Sequence, residues 1–173
     1  LVGSEMYIRD RDKKIVQIVV HQLRDYSKDK HKRVDDTQFG GGAGMVMSVQ
    51  PISLIIDKLK SERSYDEIIY MSPDGLRFNQ SHANQLSSCG NIIILCGHYK
   101  GIDERIFKKY LVSEYSIGDF ILTGGEIPTL IMIDSIVRLK DLTSRVASDS
   151  MPSVALTDFN NLFGLVKFYK LAI

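Results

Sequence analysis

The sequence predicts an α/β fold, a mostly parallel sheet with helices on both faces. Three observations carry that expectation. The runs IIYMS (68–72) and NIIILCG (91–97) are apolar without alternation, as strands covered on both faces are. Segments with apolar residues three and four apart lie between and after them, as amphipathic helices require. Glycine-rich turns follow the strands, at the sheet edge where open parallel sheets hold their ligands.

Taken in order, IVQIVV (15–20) predicts a first strand. The charged stretch RDYSKDKHKRVDD and the cluster FGGGAG (39–44) predict a long loop over 24–44. Pro51 opens a helix to Arg63 in which Ile52, Ile55, Ile56 and Leu59 share a face. The strand at 68–72 ends at the turn signature Pro73-Asp74-Gly75. A short helix over 80–88 and the strand 91–97 follow, and Asp103 caps a helix to about Tyr110. Glu126 opens the last strong helix, with Pro128 in its first turn. LTSRVASDSMPS (142–153) has the polar, small-residue character of a linker, and 156–173 predicts one more amphipathic helix. The expected division is a domain over 1–140, a linker over 141–155, and the remnant of a helical domain over 156–173.

With 22 Lys plus Arg against 21 Asp plus Glu, global charge selects no partner, so any nucleic-acid site must be a local patch. Cys89 and Cys96 lack metal-ligand spacing, as do His82 and His98, so no metal site is expected. Free thiols suit a reducing compartment. No run of about 18 apolar residues and no signal peptide are visible, so a cytoplasmic protein without a membrane partner is expected. The chain begins at Leu1 rather than at a methionine, which suggests that an N-terminal stretch is missing.

Three features have chemical as well as structural readings. The loop SIGDFILTGGEIP contains Gly118, Gly124 and Gly125 but no lysine or arginine. It is either a set of turns that any α/β fold needs or a ligand loop. As a ligand loop it suits a nucleoside without phosphates, because a phosphate cradle wants positive charge. Asp103, Glu104 and Arg105 form either an acid/base cluster or an ordinary helix start. The cations Arg24, Lys28, Lys30, Lys32 and Arg33, with His31 among them, read equally as a solvated loop or as an RNA contact.

Four motifs, VDDTQFGGGAGMVM (34–47), YMSPDG (70–75), LCGHYKGIDERI (95–106) and YSIGDFILTGGEIPTLIMIDSIVR (115–138), occur in this order. Together they resemble the bacterial tRNA (guanine-N1)-methyltransferases, over roughly residues 15–138. The resemblance implies a SPOUT-type sheet with a deep C-terminal trefoil knot, S-adenosylmethionine as cofactor, tRNA as substrate, and an obligate homodimer with its sites at the interface. It leaves open whether Mg2+ assists. Carried over, the cofactor site comprises Met71, Pro73, Gly97, Tyr99, Ile117, Gly118, Asp119, Phe120, Ile121, Leu122, Gly124, Gly125 and Pro128. Arg138 would stand near the reacting centre, and Lys30, His31 and Arg33 would meet the RNA. The implied reaction is methyl transfer to N1 of the guanine just 3′ of the anticodon.

The chain departs from the pattern in three places. Lys100 stands where the family usually has a glutamate close to the target base, and lysine offers no acceptor for guanine N1–H. Residues 1–14 do not resemble the family's first strand. Beyond Arg138 the likeness fades, and Asp149 is the nearest candidate for the family's general base. Two other readings therefore stand beside the first: a knotted RNA-binding domain without catalysis, and a relative that methylates another RNA position.

Overall fold

The computed structural model describes residues 16–38, 41–98 and 100–148, the last eleven as backbone only. Their contacts divide them into two compact units. One comprises His21–Phe78 with Cys89–Ile131; the other comprises 16–20, Asn79–Ser88 and 132–148.

The first unit holds the sheet. Strands β1 (Asp35–Thr37) and β2 (Met45–Met47) form an antiparallel hairpin. Helix α1 (Val49–Glu62) follows, and then β3 (Glu67–Arg77), β4 (Ile92–Leu95), the short helix α3 (Arg105–Lys109) and β5 (Ser113–Ser116). β3, β4 and β5 make a parallel sheet in the order β4-β3-β5. Successive side chains of β3 explain its unbroken apolar run. Ile68 and Tyr70 join a core with Ile52, Ile55, Ile56 and Leu59 of α1, Ile93 of β4 and Ile106 of α3. Ile69 and Met71 alternate to the opposite face and are buried too. Both faces of this strand are therefore covered.

Several expectations need correction. Residues 16–20 form no strand: Val19 and Val20 are 59% and 89% exposed, and β-branched propensity without a partner edge does not make a ladder. The expected loop over 24–44 contains a 3-10 turn at Leu23–Tyr26 and the strand β1. The turn Pro73-Asp74-Gly75 does not end β3. Met71 and Leu76 both face Tyr115, so Ser72–Gly75 bulges out and the ladder resumes. Helix α1 begins two residues before Pro51, which sits in the first turn where no N–H is needed.

In the second unit, helix α2 (Gln80–Ser87) is capped by a reciprocal pair. The Asn79 side chain accepts from the His82 N–H, and His82 Nδ1 accepts from the Asn79 N–H. His82 is thus a capping residue. Helix α4 (Glu126–Ser148) starts in the first unit, and its residues from Met132 onward belong to the second. Its backbone stays helical through the first residues of the expected linker. The helix expected at 156–173 and the candidate base Asp149 lie outside the described residues. No helix among the described residues is long and apolar enough to cross a membrane.

Candidate functional site

The second half of β3 carries the bulge Ser72–Gly75, and the carboxyl ends of β4 and β5 carry the loop beginning at Cys96-Gly97 and the loop 117–125. Parallel pairing puts these three segments at one edge of the sheet. They also interlock through glycines. A β-carbon on Gly75 would stand 2.7 Å from the backbone of Glu114 and Tyr115. One on Gly97 would meet the Tyr70 ring at 2.7 Å. One on Gly125 would lie 2.9 Å from both the Cys96 Cα and the Gly97 nitrogen. At this last crossing the Gly125 N–H donates to the Gly97 carbonyl at 2.9 Å.

Side chains around the crossing hold it from behind. The Thr129 hydroxyl donates back to the Gly125 carbonyl at 2.7 Å and lies 3.2 Å from Cys96 Sγ. Burial pushes the Cys96 thiol above its ordinary pKa, which disfavours the thiolate. Tyr70 forms the floor under Gly97; burial, then the nearby Glu114 and Asp74 carboxylates, raise its phenol pKa. In the third loop the buried Ser116 hydroxyl donates to the Gly118 carbonyl at 2.9 Å and lies 3.3 Å from the Gly118 nitrogen. Ser116 and Thr129 were absent from the expected site residues, and Tyr70 was expected only as the first residue of the loop 70–75. Ser116 left a trace in the sequence as the first residue of a Ser-x-Gly turn.

The predicted site residues divide by position. Met71 is buried at the last regular pair before the bulge, and Pro73 is exposed within the bulge. Gly97 and Gly125 meet at the crossing, and Ile117, Gly118, Gly124 and Pro128 are buried or half-buried. Asp119, Phe120, Ile121 and Leu122 are exposed at the tip. Tyr99 lies outside the described residues, and of Arg138 only the backbone, in α4, is described. Lys30, His31 and Arg33 belong to a separate exposed turn.

The Asp103–Arg105 cluster resolves. Asp103 accepts from the Arg105 N–H at 2.9 Å and pairs with its guanidinium at 2.7 Å, so this cluster is a helix start. Arg105 is the first cause of the lowered Asp103 pKa. Glu126 Oε1 lies 2.6 Å from His98 Nε2, joining the first residue of α4 to the loop after β4. Among the described residues no group of three or more His, Cys, Asp or Glu could hold a metal ion.

The β1–β2 hairpin is fastened to this edge. Lys100 N donates to the Met45 carbonyl, Met47 N to the Gly101 carbonyl, and Asp103 N to the Met47 carbonyl. The aliphatic stem of Lys100 runs across Gly44, whose added β-carbon would lie 2.7 Å from Lys100 Cε.

Residues 2–155 match the model of the family described as tRNA (guanine-1)-methyltransferase TrmD. The chain belongs to this family. A TrmD-family relative from Azobacteroides pseudotrichonymphae, named tRNA (guanine-N(1)-)-methyltransferase, is 57% identical over 131 residues, 76% of this chain and 59% of that protein. One of the same name from Flavobacterium johnsoniae is 58% identical over 128 residues, 74% of this chain and 57% of that one. A third, from Bacteroides fragilis, is 55% identical over 131 residues, 76% and 58% of the two chains. The match thus spans less than three-fifths of the length of each of these TrmD-family relatives.

Proposed function

We propose that this chain transfers a methyl group from S-adenosylmethionine to N1 of the guanine directly 3′ of a tRNA anticodon. The observation that carries the proposal is the Gly97–Gly125 crossing, where two backbone segments meet through a 2.9 Å hydrogen bond over the Tyr70 ring. It adjoins a loop without lysine or arginine, which fits a nucleoside lacking phosphates.

In this reading Ile117, Gly118 and Leu122 hold the adenine through backbone groups. Met71, Pro73, Gly97, Tyr99, Gly124, Gly125 and Pro128 complete the pocket, with Asp119, Phe120 and Ile121 at its rim. When bound, the cofactor supplies an electrophilic methyl carbon, which guanine N1 attacks as its own proton leaves. The chain's part is to fix that approach, accept the proton, and offset charge growing on guanine O6. Arg138 is our assignment for the last role. Lys100 carries only donors, so the base's N1–H and N2–H must be read by another group.

We further assign the SPOUT class and a trefoil knot, which the tight passage of Gly125 over the 96–97 backbone favours. A homodimer is supported by Phe120, Ile121, Ile127, Leu130 and Ile131, five large apolar residues in one short stretch, each 48–86% exposed. The cytoplasm is the compartment where such a substrate is met.

Transfer of label from methyl-labelled cofactor to a tRNA transcript with guanine after the anticodon tests the reaction. Labelling is expected with guanine and lost with adenine at that position. Binding of the transcript without any transfer would overturn the assignment.

A further inference from the structure

The charged segment after the 3-10 turn is built onto α1. Leu23 and Tyr26 pack against the hydrophobic core. Gln50 of α1 clamps the backbone on both sides: its Nε2 donates to the Tyr26 carbonyl at 2.9 Å, and its Oε1 accepts from the Lys28 N–H at 3.2 Å. Asp29 closes the turn internally, accepting from the His31 N–H at 2.7 Å and pairing with Arg33 at 3.1 Å. Eight residues further along α1, Lys58 reaches back to this segment. Its Nζ lies 3.4 Å from the Tyr26 hydroxyl and 5.5 Å from the ring centroid.

The arrangement has two physical consequences. Cations on a docked turn lose less conformational freedom on binding than cations on a free loop, so more of their Coulombic attraction is retained. The acidic residues in the segment are also occupied, Asp29 by Arg33 and Asp25 by Lys32. Among the described residues no ion pair engages Lys28, Lys30 or Lys58; Lys58 lies over the Tyr26 ring, and the Lys28 backbone is tied to Gln50 of the same helix.

We infer that Lys28 and Lys58 form, with Lys30, a preorganised phosphate-contacting surface for RNA that extends the turn onto α1, and that Gln50 is its positioning residue. This rests on the reading that the substrate is tRNA. A polyanionic backbone is the partner that a row of exposed cations recognises without pockets, through counterion release.

The test is equilibrium binding of a tRNA transcript to the 173-residue chain at 50 and 200 mM salt. Lys28→Ala and Lys58→Ala should each weaken binding. Each lost phosphate contact should make the deficit shrink about threefold between those salt concentrations. Gln50→Ala should weaken binding with the salt slope unchanged, because every charge remains while the order is lost. The two lysine variants should keep the wild-type melting temperature within about 2 °C, as exposed substitutions usually do. A Lys28→Ala/Lys58→Ala protein that binds like wild type would overturn the surface and leave the methyltransferase reading intact. A deficit independent of salt would also overturn it, since it would mark Lys58 as a prop for Tyr26. If wild-type protein bound no tRNA but did bind an acidic peptide, both the surface and the proposed substrate would fall.

Discussion

Replacing Gly125 with alanine puts the backbone cradle to its most direct test. The new β-carbon would lie 2.9 Å from the Cys96 Cα and from the Gly97 nitrogen. Carbon contacts are comfortable at about 3.5–4.0 Å, so the chains must separate by roughly 0.6 Å or more. Both obstructing atoms are backbone, and close-packed interiors give way poorly. Overpacking of this kind costs about 1–3 kcal/mol. Separation also stretches the Gly125 N–H bond to the Gly97 carbonyl, now 2.9 Å, which adds about 1 kcal/mol. The sum, about 2–4 kcal/mol, corresponds to a fall in melting temperature of roughly 5–15 °C for a chain of this length. Gly90→Ala is the matched control, because its β-carbon would meet only Asp66 Oδ2, at 3.5 Å. Thermal unfolding of both variants, with calorimetry against S-adenosylhomocysteine, gives the two readouts. Gly125→Ala should melt low and lose the ligand, while Gly90→Ala should resemble wild type. A Gly125→Ala protein within about 2 °C of wild type and with unchanged affinity would refute the crossing as the ligand cradle.

Other substitutions probe the supports. The buried Tyr110 hydroxyl lies 2.6 Å from Asp57 Oδ1 and 3.2 Å from the Ser53 carbonyl, so Tyr110→Phe should cost about 1–2 kcal/mol in a urea titration. Asp66 accepts from the Asn91 and Gly90 N–H groups, which lower its pKa from the ordinary 3.8. A lowered carboxylate stabilises above its unfolded value and loses that contribution as pH falls through the folded one. The melting difference between wild type and Asp66→Ala should therefore be constant near neutrality and narrow below about pH 4; a constant gap down to pH 2 would contradict it. Gly44→Ala meets two obstacles, a φ of 107° and the Lys100 stem. Adding Lys100→Ala should restore only the steric part, leaving about 1–2 kcal/mol of backbone strain in a double-mutant cycle.

Two strands of the parallel sheet were legible from their continuous apolar runs at 68–72 and 91–97, whereas β5, Ser-Glu-Tyr-Ser, carries no such run and was not expected. The edge that carries the candidate site followed from the same reading, since loops after parallel strands must lie together. What misled was local chemistry detached from its partners. IVQIVV has strand propensity but no ladder, and Pro73-Asp74-Gly75 has turn propensity but sits in a bulge that β5 recaptures at Leu76. The hairpin β1–β2 was hidden because three-residue strands flanked by charge and glycine carry almost no periodicity. Thr129 was invisible as a site residue for another reason, and so was the support that Tyr70 gives Gly97. Their importance lies in which backbone they back, and only the fold decides that.

The candidate site is built chiefly from backbone, and this accounts for the uneven legibility. A side-chain constellation such as a metal cluster announces itself by residue type and spacing. A cradle of N–H and C=O groups announces itself only by glycine, which every turn also uses. Two demands on glycine separate here. At Gly44 the demand is conformational, a φ that side chains rarely adopt, and it belongs to the hairpin. At Gly97 and Gly125 it is spatial: neither has a positive φ, yet a β-carbon would collide with the Tyr70 ring or the 96–97 backbone. Conformational glycines mark where the chain turns. Spatial glycines mark where two segments, or a segment and a ligand, come within touching distance. In this chain the spatial ones gather at the carboxyl edge of the sheet, in and beside a loop lacking cationic side chains. That coincidence, rather than the number of glycines, is what the proposed nucleoside site rests on.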